Sequence, residues 1–579
     1  MSYKPIPIGV DDFEDIIENG YYYVDKTMFI KNLIDKKGKV NLFTRPRRFG
    51  KTLNLSMIKY FFEKPIDGKS NKHLFEGLNI MDAGEKYTSL QEQYPVIALT
   101  LKSAKQPSYE LAYGCLIDDI AGEYTRHSYV LESDEIIDED KEKFKAIRGQ
   151  KANEEDYAKA IAFLSNCLYK YHQKKAIILI DEYDVPLENA YYTGFYDQMV
   201  SFIRSLFESA LKTNPYLEFG VITGCLRISK ESIFTGLNNL KINSILTEDY
   251  DEYFGFTEDE VMDMLSFYDR EKRMDTMRSW YDGYKFGVTD VYNPWSVINF
   301  VSALLPNENA FPTAAWSNTS SNQIVKDLIE RADEKVKEEI QSLMNGGTIE
   351  KKIHEDITYE DVYESDDNLW NFLFFTGYLK NVSIRMVNDD RYITMAIPNR
   401  EVKTIYRDKI STWFRDDIKE QDLSVMYEAM LKGDAETFEK EVAKQLRRTI
   451  SYMDSKEAFY HGFMAGLMSN LSEYVVKSNR EAGDGRYDIC VYNYDETIPP
   501  VIIELKVADK YKHLDDACDE ALAQIKDKRY ASEFAEDGYT EVIFYGVSFF
   551  RKRVRAKAER IEIEEDITSV LSEKKSSKT

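Results

Sequence analysis

The stretch NLFTRPRRFGKTLNLSMIKYFFE, residues 41–63, constrains this chain more than any other. VNLFT reads as a buried strand, and the segment from Lys51 onward as a helix with one apolar face. Between them lies only the short loop Arg45-Pro46-Arg47-Arg48-Phe49-Gly50. Strand, tight loop and helix in that order predict parallel strands covered by helices. They also aim the first helical amides beyond the strand's C-terminal end, where a helix N-terminus favours an anion. Gly50 lets the backbone approach closely, Lys51 brings positive charge to a phosphate, and Thr52 offers a hydroxyl to Mg2+. Where the pattern G-x-x-x-x-G-K-[ST] has its first glycine, this chain has Arg45. Pro46 and its neighbours must then hold a different backbone shape. Arg47 and Arg48 either add charge beside a phosphate or face solvent.

The triplet GKT alone is weak, and its weight comes from two later strand-like runs. KKAIILIDEYD is an apolar, β-branched run ending in Asp181-Glu182. A central strand that delivers two adjacent carboxylates at its C-terminal end supplies a Mg2+ ligand, Asp181, and a group to orient and deprotonate water, Glu182. The bland alternative is a helix N-cap pair after a strand. LEFGVITG reads as a further strand ending in Thr223, placed to sense a γ-phosphate if it lies between loop and acid. Arg227 either contacts phosphate or a neighbouring subunit, or is an ordinary surface arginine.

With YPVIALTL, these runs make the first ~240 residues an alternation of strands and helices, the signature of a parallel α/β sheet. Residues 257–365 read as mainly helical. DDNLWNFLFFTGYLKNVSIRMVNDDRYITMAIPN then gives a helix and a hairpin turning at Asn388-Asp389-Asp390, compatible with a winged-helix element or a small α+β linker. Residues 405–480 read as helical again, before a second α/β pattern and a tail, EKKSSKT, expected to be disordered. The expected division is 1–256, 257–404, 405–565 and a tail 566–579.

That second pattern contains GDGRYDICVYNYDETIPPVIIELKVAD. Read as a hairpin of strands 486–492 and 501–507, it sends Glu504 and Lys506 to one face and Leu505 to the other. Asp488 on the partner strand can lie beside Glu504. Two carboxylates and a lysine in one cleft are the parts of a metal-dependent phosphodiesterase. The carboxylates hold Mg2+ or Mn2+, and the lysine steadies the nucleophile or the phosphate's charge. The bland reading of E-x-K is a cross-strand ion pair on a solvated edge.

RPRRFGKT, preceded by YYYVDKTMFIKNLI, resembles the predicted AAA-ATPase-like family of many anaerobic and gut bacteria. WYDGYKFG (280–287), VYNPWSVINF (291–300), WSNTS (316–320) and FLFFTGYLK (372–380) extend the resemblance over most of the chain. In that family the arginine-proline loop is the normal form. The nucleotide-binding set is then Arg45, Arg48, Gly50, Lys51, Thr52, Asp181, Thr223 and Arg227, with Thr52 and Asp181 toward the metal. SNREAGDGRYDI, IIELKV and AQIKDKRY resemble the PD-(D/E)XK nuclease superfamily domain that accompanies it. The resemblance adds Gln524 and Tyr530 to Asp488, Glu504 and Lys506, with Glu481 or Glu473 as a further acid. Asp25-Lys26-Thr27 reads first as a capped helix start and second as a base contact. The aromatic motifs read as packing anchors before a ligand box.

A formal charge of −25 argues against a protein that coats nucleic acid with its whole surface, yet basic residues bunch at 45–51 and in FFRKRVRAKAER, so a basic groove stays open. No apolar run nears the ~20 residues of a membrane span, the start carries no basic-then-apolar signal, and Cys115, Cys167, Cys225, Cys490 and Cys518 form no C-x-x-C pair. The expectation is a cytoplasmic protein using ATP and Mg2+, with nucleic acid as partner, no membrane, and homo-oligomerisation left open. An ATP-driven nuclease ranks first. A nucleotide-switched sensor or assembly module, whose nuclease-like domain only binds, ranks second, and a small-molecule transferase third.

Overall fold

The computed structural model describes residues 3–66, 68–226, 233–234, 238–316, 323–331, 333–355, 359, 361–419, 421–448, 457–468, 471, 473–482, 485–528, 534–535 and 537–563. Arg227, Tyr530 and the tail expectation therefore lie outside the described residues. The chain divides into two compact units, one formed by Met1–Ile324 with Thr348–Ile405, the other by Val325–Gly347 with Tyr406–Thr579.

In the first unit, β1 (Val40–Thr44), β2 (Val96–Thr100), β3 (Ala176–Asp181), β4 (Leu217–Gly224) and β5 (Leu240–Asn243) form a parallel sheet of order β2-β3-β4-β1-β5. Every residue of β1 and β3 is buried, as expected of central strands packed on both faces. β4 lies between the loop-bearing β1 and the acid-bearing β3, so the C-terminal ends of all three meet. β5 escaped the sequence reading because LKIN is short and half polar; its pairing with β1 outweighs its composition. The helix Lys51–Phe62 starts at Gly50, whose φ of 80° is the left-handed region that glycine enters at no cost.

Past the sheet, residues 257–365 are less helical than their composition suggests. The helices Glu258–Phe267, Met274–Tyr281 and Pro294–Leu304 pack around Val261, Leu265, Met277, Val297 and Val301. Thr257 and Glu260 form a reciprocal capping box, and Asn293 caps a helix whose first residue is Pro294. Between them WYDGYKFG folds into the ribbon β6 (Tyr284–Phe286) and β7 (Thr289–Val291). The expected helix forms at Asp366–Phe375 and the expected hairpin as β9 (Lys380–Val387) and β10 (Asp390–Ala396), turning at Asn388 with φ 53°. A strand absent from the sequence reading, β8 (Ile349–Lys352), pairs with β10.

The second unit holds a mixed sheet, β11 (Val475–Ala482), β12 (Gly485–Tyr492), β13 (Val501–Val507), β14 (Glu541–Phe550) and β15 (Arg553–Glu562), in sequential order. Only β13 and β14 are parallel, joined through the helix Leu514–Asp527. One face (Ile489, Val491, Val501, Ile503, Leu505) packs on the helices Ser424–Lys432, Ala435–Arg448 and Glu457–Met468. The other (Cys490, Ile502, Phe544) meets Leu522 and Ile525 of the crossover helix. The helical reading of 405–480 fails at its end: Val475–Ala482 is a strand, because a β-branched start and a partner in β12 outweigh the charged remainder.

Glu401 links distant parts of the first unit. Fully buried, it accepts hydrogen bonds from the Trp316 N–H (2.8 Å) and the Ser296 hydroxyl (2.7 Å). Burial raises its pKa from 4.5 to about 7. The native state thus binds this proton more tightly than the unfolded chain, and protonation stabilises it as pH falls from about 7 toward 4.5. Relative to Glu401→Gln, which cannot ionise, the wild type should gain about 3 kcal/mol between pH 8 and pH 4.5, from 1.4 kcal/mol per pKa unit. Urea melts of both proteins across that range check it; a difference independent of pH would refute it.

Candidate functional site

Above the C-terminal ends of β1, β3 and β4 lies a cleft of about 340 Å3. Its lining joins Arg47, Gly50, Lys51, Thr52 and Glu182 with Tyr22, Phe256, Trp295 and Ile298. The first group is polar and net cationic, the second apolar and aromatic.

Asp181 joins the strand ends. The Thr52 hydroxyl donates to its Oδ2 (2.6 Å) and the Thr223 hydroxyl donates to its Oδ1. Glu182 comes next with φ 51°, a strained backbone of the kind that recurs at functional sites. The Lys51 ammonium donates to the carbonyls of Arg45 (2.9 Å) and Pro46 (3.0 Å), which draws the loop around it. Positive φ at Arg48 (68°) and at Gly50 (80°) gives the loop the handedness changes of a backbone anion nest. Donor chemistry fits a hard cation: Thr52 and Asp181 offer oxygen ligands, and no His/Cys/Asp/Glu cluster of three stands among the described residues. Such a site suits Mg2+, which takes few protein ligands and completes its shell with phosphate and water.

Arg45 is not in the cleft lining. It is fully buried, donating from Nη1 to the carbonyls of Thr44 (2.9 Å) and Asn243 (2.7 Å), with its guanidinium 5.0 Å from the Phe254 ring centre and 5.1 Å from that of Phe286. A direct contact with phosphate has no support in this geometry; Arg45 fixes the loop's base. Arg48 does line the cleft, stacked 4.4 Å over Trp295. Arg47 pairs with Glu188.

The aromatic motifs converge on the loop. The Arg47 carbonyl accepts from Asn293 Nδ2 (3.5 Å) and Trp316 Nε1 (3.3 Å). Phe49 packs against Tyr284 and Phe286, at 5.0 and 5.1 Å between ring centres. Gly377 (φ 91°) sits so close that a Cβ there would lie 3.0 Å from the Pro46 ring. They are packing anchors, and Trp295 faces the cleft as well. Asp25 and Thr27 are structural: Asp25 Oδ1 accepts from the Thr27 N–H and hydroxyl, and Lys26 pairs with Glu260 at 2.6 Å.

In the second unit, Asp488 Oδ2 accepts from the Leu505 N–H (2.8 Å), which sets its carboxylate beside the Glu504–Lys506 strand. Glu504 is 2% exposed. The Gln524 amide donates to Glu504 Oε1, while Lys506 Nζ donates to Gln524 Oε1 (2.6 Å) and stands 3.7 Å from Glu504. Asp488, Glu504, Lys506 and Gln524 are thus brought together. His461, absent from the sequence reading, places Nε2 3.0 Å from the Asp488 carbonyl. Glu473 is not brought in: it precedes the Val475–Tyr492 pair, four residues or roughly 13 Å along β12 from Asp488. The side chain of Glu481 lies outside the described residues.

Residues 7–234 match the family model described as a predicted AAA-ATPase. Residues 455–559 match that of the PD-(D/E)XK nuclease superfamily. The chain carries both domains. A protein of Azotobacter chroococcum mcd 1, described as an uncharacterized protein in vnfD 5′ region, is 24% identical over 562 residues, covering 95% of this chain and 97% of that protein.

In the AAA-ATPase-like domain, sequence reasoning missed Asp184. It lines the cleft, and its Oδ2 accepts from the N–H groups of Cys225 (2.8 Å) and Leu226 (3.2 Å), tying the Glu182 turn to the segment after Thr223. Burial raises its pKa to about 6, against the opposing charge of Lys51. Its signal in the sequence is the last acid of DEYD, two residues beyond the acidic pair. Lys102 and Lys105, which also line the cleft, come after β2 with no motif to mark them.

Arg45→Lys should destabilise the domain by about 2–4 kcal/mol, since a compact ammonium on a shorter stem loses the planar guanidinium's stacking on Phe254 and Phe286. Thermal and urea denaturation measure this. An unchanged midpoint would show that the loop is held by its other contacts.

Proposed function

We propose that the first unit binds and hydrolyses ATP and that the second cleaves nucleic acid with a divalent metal. The observation that carries the ATPase reading is Asp181, which receives the hydroxyls of Thr52 and Thr223 beside Lys51 and Glu182. The phosphates lie on the loop amides and Lys51, and the base lies toward Tyr22, Phe256 and Trp295. Thr52 and Asp181 hold Mg2+. Glu182 orients the attacking water and takes its proton, while Asp184 keeps the Thr223 strand end in register with that turn.

In the nuclease domain Asp488 and Glu504 hold Mg2+ or Mn2+, supported by their oxygen-only chemistry. The ion, when bound, polarises the phosphate and acidifies water. Lys506 stabilises charge on the scissile phosphate, and Gln524 orients both Glu504 and Lys506 through its two amide ends. Arg227, beyond the described residues, remains a proposed phosphate or inter-subunit contact.

Lys51→Ala should abolish ATP binding, measured by calorimetry; unchanged affinity would remove the assignment. Glu182→Gln should retain ATP but lower turnover by about 10²–10⁴, the usual contribution of a general base. Glu504→Ala and Lys506→Ala should eliminate cleavage of DNA or RNA while ATP hydrolysis persists. If either abolished hydrolysis instead, the division into two chemistries would be wrong.

A further inference from the structure

Lys506 on β13 stands opposite Ser548 on β14, and beyond that pair both strands run into basic turns. After β13 comes Asp509-Lys510-Tyr511-Lys512-His513; after β14 comes Arg551-Lys552-Arg553. The turns are built against each other. The Ala508 N–H donates to the Phe549 carbonyl (2.9 Å), and Phe550 packs on Ala508, Leu514 and Ala517. Tyr460 stacks on Phe549 (4.3 Å) and donates its hydroxyl to the Arg551 carbonyl (2.9 Å), which holds Arg551 at φ 52°.

Charge on this platform is not cancelled as it is elsewhere on the same hairpin. Farther along β15, Arg555 pairs with Glu439, Lys557 with Asp519 and Arg560 with Glu541. Among the described residues Lys510, Lys512, Lys552 and Arg553 make no direct ion pair; Asp509 pairs with His513 and feels the charge of Lys510 without contacting it. In a chain of net charge −25, an uncompensated cationic edge beside Lys506 is a local choice against the global field. Between the two lysines of the first turn, Tyr511 is 58% exposed. A ring so placed can stack on a base only if that base has a free face. Arg551 comes three residues after Ser548, so the platform begins about 10 Å from Lys506 along the strand direction.

We propose that this platform is a single-strand track, which feeds an unpaired polynucleotide into the Asp488–Glu504–Lys506 site. Its phosphates lie on Lys510, Lys512, Lys552 and Arg553, and one unstacked base lies on Tyr511. This rests on the nuclease reading and names its substrate class. Cations and a stacking ring serve DNA and RNA alike.

The test uses the full chain in a Glu504→Gln background, with fluorescence anisotropy on labelled single-stranded DNA, single-stranded RNA and a duplex of the same sequence. Tyr511→Ala should weaken single-strand binding about 5- to 150-fold, the range of one base–aromatic stack, with duplex binding unchanged. Lys510→Ala with Lys512→Ala should reduce the slope of log K against log salt by about 1.4, from 0.7 per lost phosphate contact. ATP hydrolysis and the melting curve of each variant check its folding. Preference for one single-stranded probe identifies the sugar and supports the track. If the protein with Glu504 intact cuts nucleic acid while Tyr511→Ala binds single strands as before, or if duplex is preferred, the track is wrong and the nuclease reading stands. If it neither binds nor cuts any of the three, the nuclease reading itself fails, and the track with it.

Discussion

The first unit depends on a buried cation. Arg45 occupies the position where a glycine would ordinarily open a phosphate loop, and its guanidinium turns inward, between Phe254 and Phe286. Burying a charge is costly unless it is hydrogen-bonded and compensated. Here two backbone carbonyls, two ring faces and the nearby Asp251 supply the compensation, and burial lowers the pKa only to about 9. The guanidinium therefore keeps its proton at neutral pH and holds the ends of β1 and β5 together. A glycine would leave that joint empty. With the joint fixed, the loop beyond it can be built from Pro46, Arg47 and Arg48 rather than from glycines.

This arrangement explains why so many separated motifs belong to one design. A glycine-rich loop is shaped by its own backbone freedom; an arginine-proline loop must be shaped from outside. Asn293 and Trp316 hold the Arg47 carbonyl, Gly377 makes room for Pro46, and the β6 ring pair receives Phe49. Glu401 in turn positions Ser296 and Trp316. The helices and hairpins after the sheet are thus part of the cleft's scaffold, and Phe256, Trp295 and Ile298 bring them into its lining as well.

What was legible in the sequence was what neighbours in sequence decide. The strand–loop–helix at residues 40–62, the Asp181-Glu182 strand end and the shared face of Glu504 and Lys506 come from local periodicity, and the structure has all three. Contacts between residues far apart in the chain were not legible. Arg45 enters the nucleotide-binding set through the family resemblance, whereas the rings and the Asn243 carbonyl that bury it lie about 200 residues away. Asp184 acquires its role only when the strand carrying Thr223 arrives beside it. The short strands β5 and β8 and the charged β11 exist because a partner strand completes their hydrogen bonds, and no composition rule sees the partner. Gln524 came from resemblance alone; its helix places it between Glu504 and Lys506 through packing of Leu522 and Ile525 on the sheet.

The two candidate sites share a physical device and use it differently. Each gathers its acids at strand ends or strand faces, where pairing fixes the backbone. In the first, Lys51 opens the helix Lys51–Phe62 and reaches back to grip the loop carbonyls of Arg45 and Pro46. In the second, Lys506 sits within a paired strand and its ammonium is held by the side chain of Gln524, which also donates to Glu504. A nucleotide must enter, be held and leave altered, and a cation gripping a shaped loop suits that cycle. A phosphodiester needs charge already in place when it arrives, and a lysine and a glutamate clamped by one amide suit that. The two lysines thus differ in what holds them, backbone carbonyls for Lys51 and the Gln524 amide for Lys506.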